Sequence, residues 1–301
     1  MMAATKIKND FSYYRPKTLD EALALIDRYQ AGGVLMAGGS EIIPAMKALV
    51  LMPDQIISLK GISGLDFLEY KRGEGLRIGP VTTLARLESD AAVRGVYPSL
   101  YQGIHSMSNT NILNSSTITG NICYAVPSAD TAPPLLTLDA YLKVRSVDSE
   151  RIVPVRELFT GVRRTCLAKN EIVVEIAIPE PDPDAVMVYF KNTVRRALDL
   201  AIAGVATYVV MEGDICKDIR IALGAVAAVP GRAPEAEAML RGRRLTRGLV
   251  EEAALHVSQR ECAPISDIRA SKEYRRELVR LSVRDGLTLA LEKKDKKGGQ
   301  R

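Results

Sequence analysis

The stretch "MAGGSEIIPAMK", Met36–Lys47, sets two glycines and a serine between the apolar run "GVLMAGG" and the beginning of a helix. Glycine tolerates positive φ and lets other groups approach the backbone closely. A strand, a glycine turn and a helix N-terminus in that order present free amide N–H groups and the positive end of a helix dipole, which together receive anions. The same order also makes an ordinary tight turn between strand and helix. On these residues alone both readings stand. Working outward, "GVLM" and "QIISL" read as strands with the helix "IIPAMKALV" between them, a small β-α-β unit whose first turn holds the glycines. Upstream, "RPKTLDEALALIDRYQ" reads as a helix. Thr18 is its N-cap, Glu21 stands at the capping-box position, and Ala22, Leu23, Leu25 and Ile26 form an apolar stripe.

The chain has 301 residues, about two domains by length, and ample apolar content for real cores. Its net charge of +5 is spread along the chain. Tryptophan is absent and aromatics are few, which argues against a single-strand nucleic-acid reader built on stacking platforms. There is no nucleic-acid-binding motif. "MMAATKIKNDFSYYRPK" lacks the apolar centre of a signal peptide, and no apolar run approaches the length of a membrane span. These features predict a cytoplasmic protein without a membrane or nucleic-acid partner. The four cysteines, Cys123, Cys166, Cys216 and Cys262, are far apart and only two histidines exist, His105 and His256. No zinc or iron–sulfur site is expected on this chain, and no disulfide.

Further along, "LRIGP" reads as a strand, "TTLARLES" as a helix, and "AAVRGVYPSLYQGIHSM" as helical after Pro98. "STITGNI" has the β-branched residues of a strand. "SADTAPPLLTLDA" reads as a helix with prolines in its first turn, and "YLKVRSV", "RIVPV" and "EIVVEIAIP" as strands. "PEPDPDAV", Pro179–Val186, is the best linker candidate. Beyond it come the strands "MVYFKN", "AGVATYVVME" and "DIRIALGAVAAV", then helices near 234–242, 248–260 and 272–291, and the charged end "KKDKKGGQR". "GEGLRIG" imitates a dinucleotide fingerprint, but its glycines lead into a strand rather than a helix.

A second unusual stretch, "NSSTITGNICYAVPSADTAPPLLTLDA", Asn114–Ala140, gathers Thr117, Thr119, Gly120, Asn121 and Asp130 near a strand-to-loop transition. Alone it is either a wall for a polar ligand or a surface loop. Taken with "LMAGGSEIIPAMK", "LRIGPVTTLARLES", "ELFTGVRRTCLAKNEIVVEIAIP" and "YFKNTVRRALDLAIAGVA", in this order, it resembles the FAD-binding medium subunits of molybdenum hydroxylases, the xanthine dehydrogenase and carbon monoxide dehydrogenase group. The resemblance covers about residues 11–290.

The resemblance implies an α+β fold. A two-lobed, vanillyl-alcohol-oxidase-like FAD-binding domain would occupy 1–180, with lobes of about 1–60 and 61–180. A smaller α+β C-terminal domain, a sheet packed with helices, would occupy 185–291, and a flexible tail 292–301. The resemblance further implies non-covalent FAD. Gly38, Gly39 and Ser40 would cradle its pyrophosphate, with Leu35, Met36, Ala37 and Glu41 completing that loop. Thr117, Thr119, Gly120 and Asn121 would form a second wall, with Asp130 near the ribityl chain or ring. Met107, Tyr124, the apolar Leu167 and Lys191 near the isoalloxazine complete the expected set. Read without the resemblance, Leu167 is a core residue and Lys191 a solvated strand lysine. Cys123 and Cys166 read as inert thiols, His105 and His256 as helix-surface residues. Family members usually carry Gly-Gly before the asparagine. Thr119 replaces the first, and would be strained if that position needs positive φ.

By the same resemblance the function is electron transfer without a catalytic side chain on this chain. Electrons from a large molybdopterin subunit would pass through [2Fe–2S] clusters of a small subunit to FAD here, then to NAD⁺ or another acceptor. A self-sufficient small-molecule flavoenzyme, and a scaffold subunit that has lost the cofactor, remain alternatives. The molybdenum substrate, the terminal acceptor and the stoichiometry are not encoded in this chain.

Overall fold

A computed structural model describes residues 6–107, 109–195 and 199–298, with the side chains of the last helix described as far as Lys293. Residues 196–198 of the "YFKNTVRRALDLAIAGVA" motif and 299–301 of the expected tail lie outside the described residues.

The N-terminal part is a parallel three-stranded sheet. β1 (Ser12–Tyr14), α1 (Leu19–Arg28), β2 (Gly33–Met36), α2 (Ile42–Lys47) and β3 (Gln55–Ser58) follow in sequence, and the strand order is β1-β3-β2. The helix start behaves as its sequence directs. Thr18 Oγ1 accepts from the Glu21 amide at 3.2 Å, and the Glu21 carboxylate accepts from the Lys17 amide at 2.7 Å, one residue before the cap. Ala22, Leu23 and Ile26 are buried against Ile57, Leu59 and Ile62.

The second part begins with β4 (Leu68–Lys71) and β5 (Gly75–Ile78). Six short helices follow: α3 (Leu84–Ser89), α4 (Ala91–Val96), α5 (Pro98–His105), α6 (Thr110–Leu113), α7 (Ile118–Cys123) and α8 (Ala132–Thr137). Then come β6 (Tyr141–Arg145), β7 (Glu150–Pro154), α9 (Val155–Leu158), β8 (Phe159–Gly161), β9 (Arg164–Thr165) and β10 (Ile172–Ile178). Five of these strands form an antiparallel sheet in the order β4-β5-β10-β6-β7, which shares one core with the helices.

The expected strand "STITGNI" is instead α7. Thr117 caps it, its hydroxyl accepting from the Gly120 amide at 3.0 Å. Ile118 and Ile122, four residues apart, are both fully buried. One cap and one i,i+4 apolar pair therefore outweigh the β-branched composition.

The third part is an antiparallel sheet of β11 (Val186–Asn192), β12 (Ala203–Glu212), β13 (Ile215–Gly224) and β14 (Gly231–Arg232). It is covered by α10 (Pro234–Leu240), α11 (Arg247–His256), which continues as a π turn over Val257–Glu261, and α12 (Lys272–Gly298). β13 stops at Gly224, short of the expected "AVAAV", because Ala225 takes a left-handed φ of 62°. α12 runs past residue 291 to Gly298, so most of the expected tail prolongs a helix. The second and third parts pack together. Tyr208, Val210 and Ala222 join the core of the second part, and the Tyr189 amide of β11 donates to Gln102 Oε1 of α5 at 2.7 Å. Among the described residues, no helix is long and apolar enough to cross a membrane.

Candidate functional site

A cleft of about 380 Å³ opens between the β2–α2 turn and the α6–α7 segment. Leu35, Ala37, Gly38, Gly39, Ser40 and Glu41 line its first wall. Met36 does not. Its carbonyl accepts from the Leu59 amide at 2.9 Å, and its sulfur would lie 3.2 Å from a Cβ placed on Gly39. Gly39 has a φ of +79°, the left-handed region that favours glycine. Gly38 is constrained differently. A Cβ there would stand 2.0 Å from the Ser115 carbonyl oxygen and 2.9 Å from Ser116 Cα, so the two loops touch backbone to backbone. Among the described residues, the amides of Gly38, Gly39, Ser40 and Glu41 donate to no protein acceptor.

Thr117, Thr119, Gly120, Asn121, Tyr124 and, from the turn after α5, Met107 form the opposite wall. Thr119 lies inside α7 on right-handed backbone, so the strain expected of it is absent. Its Oγ1 is buried without a hydrogen-bond partner among the described residues. The Gly120 amide is already taken by Thr117, but a Cβ on Gly120 would meet only Thr117 Oγ1, at 3.1 Å. Asn121 Oδ1 accepts from the Thr131 hydroxyl at 2.6 Å. Cys123 also lines the cleft, and burial pushes its thiol up to about 12, so it is inert at neutral pH.

Leu167 closes the cleft near Glu171. Sequence reasoning missed Glu171, Ser116 and the apolar floor of Leu59, Ile172 and Val173. The floor comes from the residue after β3 and from the start of β10, and only the acidic end of "LAKNE" offered a local signal.

Two family models cover the chain. The FAD binding domain in molybdopterin dehydrogenase matches residues 9–181, and the CO dehydrogenase flavoprotein C-terminal domain matches 188–289. The chain belongs to the FAD-binding subunits of the molybdenum hydroxylase family. It is 33% identical to the glyceraldehyde dehydrogenase medium chain of Sulfolobus acidocaldarius, over 90% of this chain and 95% of that one. It is 30% identical to the xanthine dehydrogenase FAD-binding subunit of Escherichia coli O157:H7, over 93% and 96%. A structure of carbon monoxide dehydrogenase from Hydrogenophaga pseudoflava, lacking the Mo-pyranopterin moiety of its molybdenum cofactor, superposes with a TM-score of 0.91. That match has 29% identity and covers 95% of this chain and 99% of that one.

In this FAD subunit, Asp130 and Lys191 meet each other rather than the cleft, which neither lines. Lys191 Nζ lies 2.9 Å from Asp130 Oδ2 and donates to the Ser106 carbonyl at 2.8 Å. Tyr189 donates its hydroxyl to Asp130 Oδ1 at 2.8 Å. Both charged side chains are 7% exposed. Burial outweighs these bonds and lifts the Asp130 carboxyl above its ordinary range. His105 pairs with Glu88 and His256 with Glu235, both away from the cleft.

Glu171 fixes the Leu167 segment of the FAD subunit. It accepts from Arg151 Nε at 2.6 Å, from Arg151 Nη2 at 2.8 Å and from the Ala168 amide at 2.7 Å, while Arg151 Nη2 reaches the Cys166 carbonyl at 3.2 Å. The Arg151 guanidinium holds the Glu171 carboxyl below its usual value. A depressed carboxyl contributes stability that is complete above its unfolded value and is lost as pH falls through its folded one. Glu171→Gln is therefore expected to cost about 1–2 kcal/mol at neutral pH. The deficit should shrink between about pH 5 and pH 3. Urea titrations across that range measure it, and a deficit constant with pH would contradict the assignment.

Proposed function

We propose that this chain binds FAD non-covalently in the cleft and serves as the electron-transferring subunit of a cytoplasmic molybdopterin-dependent dehydrogenase or hydroxylase. Electrons would arrive from the [2Fe–2S] clusters of a small partner subunit, downstream of a large molybdopterin subunit, and leave to NAD⁺ or another acceptor. The observation that carries the reading is the contact at Gly38. There a turn of unpaired amides meets the Ser115–Ser116 loop, which leads into α7 and its buried, unpartnered Thr119 hydroxyl. The buried hydroxyl lacks a partner and the turn's amides are free to donate, and a dinucleotide's phosphates and ribityl hydroxyls supply acceptors and donors of the right kind. The space above Gly120 admits a ligand where any side chain would intrude.

Bound FAD supplies the redox chemistry, accepting and returning an electron pair. The chain's own residues bind and orient. The Gly38–Glu41 amides and Thr119 would hold the diphosphate and ribityl region. Leu167, with Leu59 and Ile172 of the floor, would exclude water from the apolar parts. Asn121, whose Oδ1 is fixed by Thr131, would present its amide from a set position. No side chain is required as a nucleophile or general base.

The reading is tested on the tagged chain purified from its host. The preparation should be yellow and should carry a chain containing iron and acid-labile sulfide and another containing molybdenum. Acid precipitation should release FAD into the supernatant. Flavin held on the pellet, FMN in place of FAD, or a colourless monomer would overturn it.

A further inference from the structure

Tyr124 of the cleft is covered by an arginine that the cleft wall does not itself include. Arg163 sits in the β8–β9 turn with a φ of 56°, left-handed backbone that a glycine would take at lower energy. Its amide donates at 2.8 Å to the carbonyl of Ala125, which is itself left-handed with a φ of 51°. The turn is thus tied to the end of α7. The exposed guanidinium lies 5.1 Å from the centroid of the Tyr124 ring. A strained residue held at a cleft mouth points to a role for its side chain.

Charge supplies the second argument. The described residues lining the cleft include two carboxylates, Glu41 and Glu171, and no lysine or arginine. Glu171 is already neutralised by Arg151. Glu41 stands in the glycine turn itself. Burial raises its carboxyl and the nearby Arg163 charge lowers it, with burial prevailing. A diphosphate carries two negative charges and would enter beside Glu41. Without a cation that encounter is repulsive.

We propose that Arg163 is a ligand-binding residue whose guanidinium, resting on Tyr124 beside Glu41, engages the diphosphate of the bound dinucleotide at the Gly38–Glu41 turn. The inference rests on the reading of the cleft as a flavin site. The planar fork of an arginine can remain against the ring and still donate two parallel hydrogen bonds to phosphate oxygens.

The test uses the full chain stripped of flavin, with FAD binding followed by fluorescence quenching and ADP as a competing probe. Arg163→Gly removes the side chain and relieves the backbone. It should leave the melting temperature of the flavin-free protein unchanged or higher. It should weaken FAD and ADP by about tenfold each, or about 1.4 kcal/mol. Arg163→Gln, which keeps a Cβ in the turn, should lose as much. The wild-type affinity should fall more steeply with salt than that of either variant. Wild-type affinity in both variants would overturn the proposal. So would a loss confined to FAD and absent for ADP, or a salt dependence equal to that of the wild type. Gly38→Val distinguishes the two levels. If it loses flavin while the Arg163 variants keep theirs, only the Arg163 assignment fails. If it also keeps flavin, the cleft reading fails with it.

Discussion

Gly38→Val should yield a folded chain that purifies without flavin. The reason lies in where its side chain would go. A Cβ at Gly38 would stand 2.0 Å from the Ser115 carbonyl oxygen and 2.9 Å from both Ser115 C and Ser116 Cα. These are backbone atoms held by their own bonds, with the Ser115 and Ser116 amides donating to Ile112 O at 3.0 and 2.8 Å. They cannot rotate aside, so the two loops must part. The fold should survive, because the contact joins two parts that each have their own core. Overpacking of this kind costs about 1–3 kcal/mol. The cleft does not survive, since its walls are those two loops. FAD affinity should fall by at least about a hundredfold, or about 2.7 kcal/mol. Gly39→Ala makes the comparison. Its nearest neighbours would be Met36 Sδ and Ile43 Cδ1, at 3.2 and 3.3 Å, both in flexible side chains. Its penalty is then the left-handed φ, about 1–2 kcal/mol, and it should keep part of its flavin. The flavin-to-protein absorbance ratio, with far-ultraviolet circular dichroism as the check on folding, measures both. Full flavin occupancy in Gly38→Val would remove this account of the cleft.

What the sequence revealed, and what it hid, follows from the range of each interaction. The β-α-β unit around Gly38 was legible because its signals are local: a cap at Thr18, an apolar stripe, and glycines between strand and helix. The irregular connection between β10 and β11 was legible for the same reason, since proline and acidic residues act on their own backbone. α7 was not. Its composition reads as strand, and what makes it a helix is the Thr117 cap together with burial of Ile118 and Ile122 in a core drawn from distant elements. The family resemblance assigned Gly38 to a cradle, but the need for glycine there comes from Ser115, far along the chain. Glu171, just before β10, escaped notice because its partner Arg151 lies on β7. Asp130 and Lys191 were both singled out, but their mutual pairing was invisible, since it depends on the segment before α8 lying against β11.

That pairing sets the expected behaviour of Lys191→Met. The substitution leaves Asp130, 7% exposed, without its cation. Breaking a buried ion pair from one side costs about 3–5 kcal/mol, because the remaining charge is uncompensated. The Asp130 carboxyl is already raised by burial against the opposing pull of Lys191, so removing Lys191 raises it further. A raised carboxyl favours the folded state when protonated. The loss should therefore be small near the ordinary aspartate value and grow as pH rises towards the new folded one. Thermal or urea unfolding at pH 5 and pH 8 separates these regimes, the deficit being larger at pH 8. The double variant Asp130→Asn/Lys191→Met removes both charges and should recover much of the loss, while Tyr189 keeps an acceptor in the asparagine carbonyl. The cleft should report the same event. Lys191 holds the Ser106 carbonyl immediately before Met107, and Asp130 immediately precedes Thr131, which fixes Asn121. Two points on the proposed flavin wall hang on this pair, although neither charge touches the cleft. FAD affinity should accordingly fall in Lys191→Met and return only in part in the double variant, which still lacks the Ser106 anchor. A single variant as stable as wild type at pH 8, or a double variant no better than the single, would show that the pair does not carry the junction between β11 and the segment before α8.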